Sequence, residues 1–242
     1  MKINSIFILI GCLICLSISG QNKNVHFSFP VKPGDDAWTK MGSPISRIIS
    51  MQVPDSILFD ISTEELLNVC LDFPYIIDLA FSDNYQKGLE ILMGEFNGFK
   101  ELLNREDAVA VLEKELEAIP QKVCSLKNKT DIEKGSFSFK CLCLELLIAQ
   151  DTILSRLDQE KEKSMSVSLL KNDGIKKTEP DIFGEINDVS TSLILAKMAL
   201  RSTNYEISKI QREELIRFAS APIRLNPTIL EFLTEYKRKL LK

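Results

Sequence analysis

The chain has 242 residues, of which 45% are hydrophobic and 26% are charged, so it can bury a sizeable core. This composition excludes a disordered or fibrous protein. The formal net charge of −4 gives no general attraction to nucleic acid or to an anionic membrane surface. We therefore predict one or two compact domains and no nucleic-acid partner.

Residues 1–20 have the pattern of a signal peptide. Lys2 supplies a positive charge, the run from Ile6 to Leu16 is uncharged, and Ser17 and Ser19 are small residues suited to cleavage. The uncharged run is shorter than the about 20 apolar residues that a spanning helix needs. We expect these residues to be removed, and the protein to be exported to the periplasm, the cell surface or the medium.

Cys12 offers a second interpretation of the N-terminus. Leu9-Ile10-Gly11-Cys12 resembles a bacterial lipobox, in which the cysteine carries a lipid that tethers the protein without spanning the membrane. The apolar run from Leu13 to Ile18 argues against this, because a lipoprotein usually turns polar after its cysteine. Membrane attachment is expected only if Cys12 is lipidated.

Residues 21–42 contain prolines and glycines but little periodicity, which predicts an extended leader. Trp38, the only tryptophan, is the candidate anchor of this leader. We expect its ring to pack on the first helices rather than to stack against a ligand, since a single large aromatic is most often core material.

Residues 43–157 are predicted to form the main helical domain. Ser43-Pro44 and Ser62-Thr63-Glu64-Glu65 are helix starts. Pro74 is predicted to end or kink a helix, Pro120 is predicted to end one, and the polar stretch 125–136 is predicted as a turn. Phe137 to Ala149 is apolar nearly all round, as in a central helix. Apolar stripes at helical spacing support the preceding helices: Leu66, Leu67, Cys70 and Leu71; Tyr85, Leu89, Leu92, Phe96 and Phe99; Ala108, Leu112, Leu116 and Ile119.

The remaining third of the chain divides by composition. Residues 158–187 are rich in Lys, Glu, Asp and Ser, which predicts a solvated loop or hinge. Residues 188–242 contain further apolar stripes and are predicted to form C-terminal helices that pack on the main domain. The whole pattern predicts an all-α fold, either an antiparallel helical bundle or a short α-superhelical array.

Few residues suit catalysis or metal binding. His26 is the only histidine and lies in the leader, where we expect an ordinary surface residue, because catalysis needs a rigidly held imidazole. Ser168 and Lys171 match the S-x-x-K pattern of serine acyl-enzymes, but the companion motifs are absent. No dinucleotide fingerprint or P-loop occurs, so no cofactor is predicted. No metal is predicted either.

Four cysteines follow the signal segment: Cys70, Cys124, Cys141 and Cys143. Export permits a disulfide, and the candidate pairs Cys124 with Cys141 or with Cys143. The default expectation is that all four are buried free thiols that pack as small hydrophobic residues. A zinc site is disfavoured, since Cys141 and Cys143 are only two positions apart, which places them on nearly opposite faces of a helix.

Glu145 is the one catalytic candidate, because it stands alone within the apolar run from Cys141 to Ala149. If it is buried, its pKa would rise and it could act as an acid or a base. The interpretation that we prefer is that Glu145 marks a narrow solvent-exposed strip of its helix.

Several motifs in residues 52–112 are shared with other proteins. They are Gln52-Val53-Pro54, Ser62 to Leu66, Cys70 to Tyr75, Phe96-Asn97-Gly98 and Glu101 to Ala108, with Asp36-Ala37-Trp38 upstream. On these motifs the chain resembles an uncharacterised family of exported helical proteins from Bacteroidetes-type bacteria. The family usually has asparagine at Asp72 and tyrosine at Phe73. The resemblance implies export and a helical fold but no activity, cofactor or catalytic residue.

The sequence therefore favours a non-catalytic extracytoplasmic interaction or scaffold protein that binds a protein or a glycan. One alternative is a hydrolase or lyase that uses carboxylates such as Glu145. The other is a lipid-anchored subunit of a cell-envelope complex, which depends on Cys12.

Overall fold

A computed structural model describes residues 25–184, 188–202, 205–222 and 225–240. In these ranges the chain forms fourteen α-helices and one 3-10 helix, with no strand, so the predicted all-α fold is confirmed. The signal segment and Cys12 lie outside the described residues. The helices are α1 Asp36–Lys40, α2 Pro44–Ser50, α3 Asp55–Leu58, α4 Thr63–Leu71, the 3-10 helix Ile76–Phe81, α5 Tyr85–Glu95, α6 Asn97–Asn104, α7 Ala108–Leu126, α8 Asp131–Ile148, α9 Asp151–Leu154, α10 Gln159–Thr178, α11 Pro180–Phe183, α12 Asp188–Arg201, α13 Lys209–Ser220 and α14 Pro227–Leu240.

Helix α8 is the centre of the core. It contacts α4, α5, α7, α11, α12 and the 3-10 helix, and every residue from Cys141 to Ala149 is buried. The predicted turn at 125–136 is wrong in its second half, because α8 begins at Asp131. Thr130 caps this end: its hydroxyl accepts from the Glu133 N–H, and the Glu133 carboxylate accepts from the Thr130 N–H.

Pro120 lies inside α7, although the sequence predicted that it ends this helix. A proline has no N–H, so the carbonyl of Leu116, four residues earlier, lacks its helical donor. Asn172 of α10 fills this role, since its Nδ2 donates to Leu116 O at 2.8 Å. The helix therefore continues past Pro120 to Leu126.

The segment 158–187, predicted to be a solvated loop or hinge, contains the 20-residue helix α10 and the short α11. Asp158 caps α10 by accepting from the Lys161 N–H at 2.8 Å. The polar composition was misleading because several polar side chains of α10 face inward and have partners in the core. They are Ser166, Asn172, Asp173 and Lys176.

The last three helices pack on one another and on α8 and α10. Helix α12 packs against α8 and α10, and α14 packs against α10, α12 and α13. Asp173 of α10 accepts from Lys177 at 2.9 Å and from Lys237 of α14 at 2.8 Å. Burial raises the pKa of the Asp173 carboxyl, but these two ammonium groups outweigh it and hold the pKa below its usual range.

The chain is extended from residue 25 to residue 32, and we call this segment the strap. The predicted extended leader 21–42 is wrong in its second half, because a turn and the helix α1 follow the strap. Odd-numbered residues from Val25 to Val31 are buried or half-buried, and the even-numbered residues between them are exposed. Side chains of an extended chain alternate in this way when one face packs on a core. Trp38 follows on α1 and packs against Tyr75 with 5.5 Å between ring centroids, as expected of an anchor.

Candidate functional site

Glu145 lies in a fully buried polar cluster. Its side chain is 0% exposed, and its Oε1 lies 2.6 Å from Lys176 Nζ. The Ser190 hydroxyl donates to Oε2 at 2.5 Å, and Thr191 Oγ1 lies 3.1 and 3.0 Å from the two carboxylate oxygens. Lys176 also donates to Thr191 Oγ1 at 3.0 Å. The preferred prediction, that Glu145 marks a solvent-exposed strip, is wrong.

This cluster connects three helices rather than forming a reactive site. Glu145 belongs to α8, Lys176 to α10, and Ser190 and Thr191 to α12. A buried carboxylate needs a paired cation and hydrogen-bond donors, and the ammonium and the hydroxyls supply both. Because the cluster is closed to solvent, no external substrate can reach Glu145 in this conformation. Its arrangement suits cross-linking of the core.

A groove lies between the strap and the helices α4, α7 and α8. We call it the strap cleft. Its volume is about 710 Å³, within the range of about 300–1,000 Å³ typical of small-ligand sites. His26 to Phe29 form one wall, and Asn68, Asp72 and Lys140 contribute to the others.

Three pairs of polar side chains line the strap cleft. They are His26 with Glu65, Asp72 with Lys140, and Glu115 with Lys122. The first joins the strap to α4, and the second joins the end of α4 to α8. All three are partly exposed, so each contributes only about 0–1 kcal/mol to stability. The cleft therefore presents positive and negative side chains. Exchanging their weak mutual contacts for contacts with a charged ligand costs little free energy.

His26 is an exposed surface residue, as the sequence predicted, and it makes two side-chain contacts. Its Nδ1 pairs with Glu65 and its Nε2 lies 3.1 Å from Ser28 Oγ. These contacts hold the outer face of the strap against α4. The fixed position of the imidazole comes from contacts across the sequence, which residue spacing in the leader does not reveal.

Phe29 anchors the inner face of the strap. It is 8% exposed, and its ring lies 5.6 Å from that of Phe96 and 6.0 Å from that of Phe73. Phe73 and Phe96 stack at 4.6 Å, and Phe99 packs edge-on against both. Aromatic clusters of this kind add attraction between rings to the burial of apolar surface. The strap is thus built into the core at this point.

The four described cysteines are free thiols. The possible disulfide of Cys124 with Cys141 or Cys143 is not present: Cys124 is exposed on α7, whereas the other two are buried in α8. Burial raises the pKa of Cys141 and of Cys143, and burial together with the nearby Cys143 raises the pKa of Cys70. Cys141 lines the strap cleft but is held as a poorly nucleophilic thiol.

A second, more open groove lies between α5, α6, α12 and α13. Its volume is about 990 Å³, and its lining includes Lys100, Lys197 and Arg201. Lys197 donates to Ala149 O at 2.9 Å and pairs with Asp151 at 3.2 Å. Such a wide groove encloses a ligand less completely than the strap cleft does.

The S-x-x-K motif does not lie in a setting that suits catalysis. Ser168 and Lys171 lie on α10, where Lys171 is exposed rather than desolvated as a catalytic lysine must be. The described part of the chain brings no three His, Cys, Asp or Glu side chains into a group that could hold a metal ion. Among the described helices, none has both the length and the apolar character that crossing a membrane requires.

The motifs that carry the family resemblance include two that hold neighbouring helices together. Asn97 at the start of α6 accepts from the Val53 N–H at 3.0 Å and donates to Val53 O at 2.8 Å. Gln52 accepts from the Asn97 N–H at 3.0 Å and donates to Glu95 O at 2.8 Å. A Cβ at Gly98 would lie 2.5 Å from the Phe96 ring, so this close approach needs glycine. These motif residues are structural.

Comparison of the chain with protein-family models, with curated proteins and with solved structures gave no match. The family resemblance therefore stays a prediction, and the function has to be argued from the site itself.

Proposed function

We propose that this protein is a non-catalytic, exported binding protein that holds a polar part of a protein or a glycan in the strap cleft. The observation that carries the proposal is the cleft itself. An extended segment and three helices enclose about 710 Å³, and ion pairs and phenylalanine side chains lie side by side on its walls. A concave site with an apolar surface and a few directed polar groups is typical of ligand binding.

The polar groups of the cleft fit a binding role better than a catalytic one. Glu65 contacts His26, and Asp72 and Glu115 each pair with a lysine, so every one of these carboxylates already has a partner in the cleft. The hydrolase or lyase alternative gains no supporting observation, because Glu145 lines neither described groove.

The cellular part of the proposal depends on the N-terminal sequence. Export rests on the signal-peptide pattern of residues 1–20, and the lipid-anchored alternative rests on Cys12. Both fit a binding protein, since a lipid would change only where the strap cleft is displayed.

Ligand-observed NMR with two panels, short peptides and oligosaccharides, tests the proposal. We expect members of at least one panel to bind, and Lys140→Gln to weaken their binding about tenfold, because it removes a charged donor from the cleft wall. Lys87→Gln is the matched control, since Lys87 forms an exposed ion pair with Glu90 on α5 and does not line the cleft. Equal affinities of the two variants, or no binding from either panel, would refute the proposal.

A further inference from the structure

The strap differs from the rest of the described chain in its backbone hydrogen bonding. Helical segments satisfy their N–H and C=O groups internally, whereas an extended segment needs a neighbour. Within the described residues, the main-chain groups of residues 25–31 have no hydrogen-bond partner, either in the backbone or in a side chain. This includes Phe29, which is 8% exposed.

These unpaired groups border the strap cleft. His26, Phe27, Ser28 and Phe29 are consecutive lining residues, so a continuous piece of extended backbone forms one wall. Four extended residues span about 13 Å, at about 3.3 Å per residue. Alternate residues of such a segment direct their N–H and C=O groups to opposite edges. One edge of the strap therefore offers donors and acceptors at the spacing of a β-strand.

The position of the strap is fixed well enough to act as a template. Phe29 anchors it in the phenylalanine cluster, and the pair between His26 and Glu65 holds its outer face on α4. A template that is already ordered loses little conformational entropy when it binds. The unpaired edge is then a fixed feature of the cleft wall.

From this geometry we propose that the cleft binds an extended peptide segment, which adds alongside the strap through main-chain hydrogen bonds. The inference rests on the binding function proposed above and names its ligand class. A peptide repeats N–H and C=O groups at the same spacing as the strap, whereas the hydroxyls of a glycan do not. The charged side chains of the cleft then pair with charged side chains or end groups of the peptide.

The length and the chemistry of the peptide follow from the cleft. A volume of about 710 Å³ and a wall of four residues suit a segment of about four to six residues. Asp72 and Lys140 place opposite charges on the wall, which favours a segment that carries both charged signs. Phe27 and Phe137 add half-buried apolar surface for one of its side chains.

The test uses a randomised hexapeptide library, acetylated and amidated at its ends, with the full-length protein. The tightest member is resynthesised with one N-methyl group at each amide in turn, and its affinity is measured by isothermal titration calorimetry. Strand pairing predicts an alternating pattern, because successive amides of a strand point to opposite edges. We expect N-methylation to weaken binding about tenfold at alternate positions and to leave it unchanged at the others.

Hydrogen–deuterium exchange provides the second readout. The amides of residues 26–29 should exchange faster without the peptide than with it, since the peptide gives them acceptors. A uniform N-methyl pattern, or unchanged exchange of the strap, would overturn the inference. If oligosaccharides bind in a Lys140-dependent way and no hexapeptide binds, the peptide inference fails and the binding function stands. If neither class binds, both fail.

Discussion

Glu145 depends on partners that are distant in the sequence. The apolar run around it correctly indicated a buried helix, but its cation and its hydroxyl donors lie 31 to 46 residues further along the chain. Lys176 falls in the segment that composition predicted as a loop. A buried carboxylate without partners would be very costly, so its burial could not be predicted before those partners were known.

Replacing Lys176 with methionine tests the importance of this pair. Lys176→Met keeps the length of the side chain but leaves the Glu145 carboxylate buried without its cation. We expect the free energy of unfolding to fall by about 3–5 kcal/mol, as when one partner of a buried pair is removed. Urea unfolding followed by circular dichroism measures this loss.

The neighbouring lysine provides a matched control. Lys177 is largely exposed on the same helix, so Lys177→Met should cost only about 0–1 kcal/mol. The double variant Glu145→Gln/Lys176→Met should cost less than the sum of its two single changes, because the unpaired charge is gone. Additive losses would show that the two side chains act independently.

At the scale of elements, helices α7 and α10 explain two errors of the sequence prediction together. Pro120 marks an expected helix end, and Asn172 lies in a segment that is too polar to suggest a core helix. The two departures are linked, because the Asn172 amide donates to the Leu116 carbonyl the hydrogen bond that Pro120 cannot donate. Rules for single segments do not include such cross-chain compensation.

A double-mutant cycle between Asn172 and Pro120 measures this compensation. Asn172→Ala leaves the Leu116 carbonyl without a donor and should reduce the free energy of unfolding by about 1–3 kcal/mol. In a Pro120→Ala background the residue at 120 regains an N–H, so the same asparagine change should cost less. Denaturant unfolding of the four proteins gives the coupling; a cost that does not depend on residue 120 would contradict this explanation.

The strap shows that part of the missed structure was readable in the sequence. Val25, Phe27, Phe29 and Val31 alternate with polar residues or proline, which is the period of an extended segment with one buried face. The prolines and glycines of the leader keep this alternating pattern short. What the sequence could not reveal is the surface on which the strap packs, since that surface combines several helices.

Two phenylalanine variants test whether the strap is part of the folded core. Phe29→Ala should reduce the free energy of unfolding by about 3–5 kcal/mol, because it removes a buried ring from the aromatic cluster. Phe81→Ala is the control: its side chain is 81% exposed, and its loss should change stability by less than about 0.5 kcal/mol. Chemical denaturation provides both values. Similar small effects would mean that the strap is only loosely attached.

For the whole molecule, the all-α fold followed from helical periodicity, whereas the candidate site did not. Every described helix with a clear apolar stripe could be predicted, because one stripe needs no knowledge of its neighbours. The strap cleft forms where an extended segment meets three helices, and its ion pairs join residues that are up to 68 positions apart. Such a site becomes visible only after the elements have been brought together.

The central claim is that ligand binding occurs between the strap and the helices α4, α7 and α8. The most direct measurement is a ¹⁵N–¹H correlation spectrum of the labelled protein during titration with the tightest hexapeptide. We predict that the largest shift changes occur at the amides of residues 26–29 and near Asp72 and Lys140. Changes confined to the groove lined by Lys100 and Arg201, or no saturable change at all, would contradict the account.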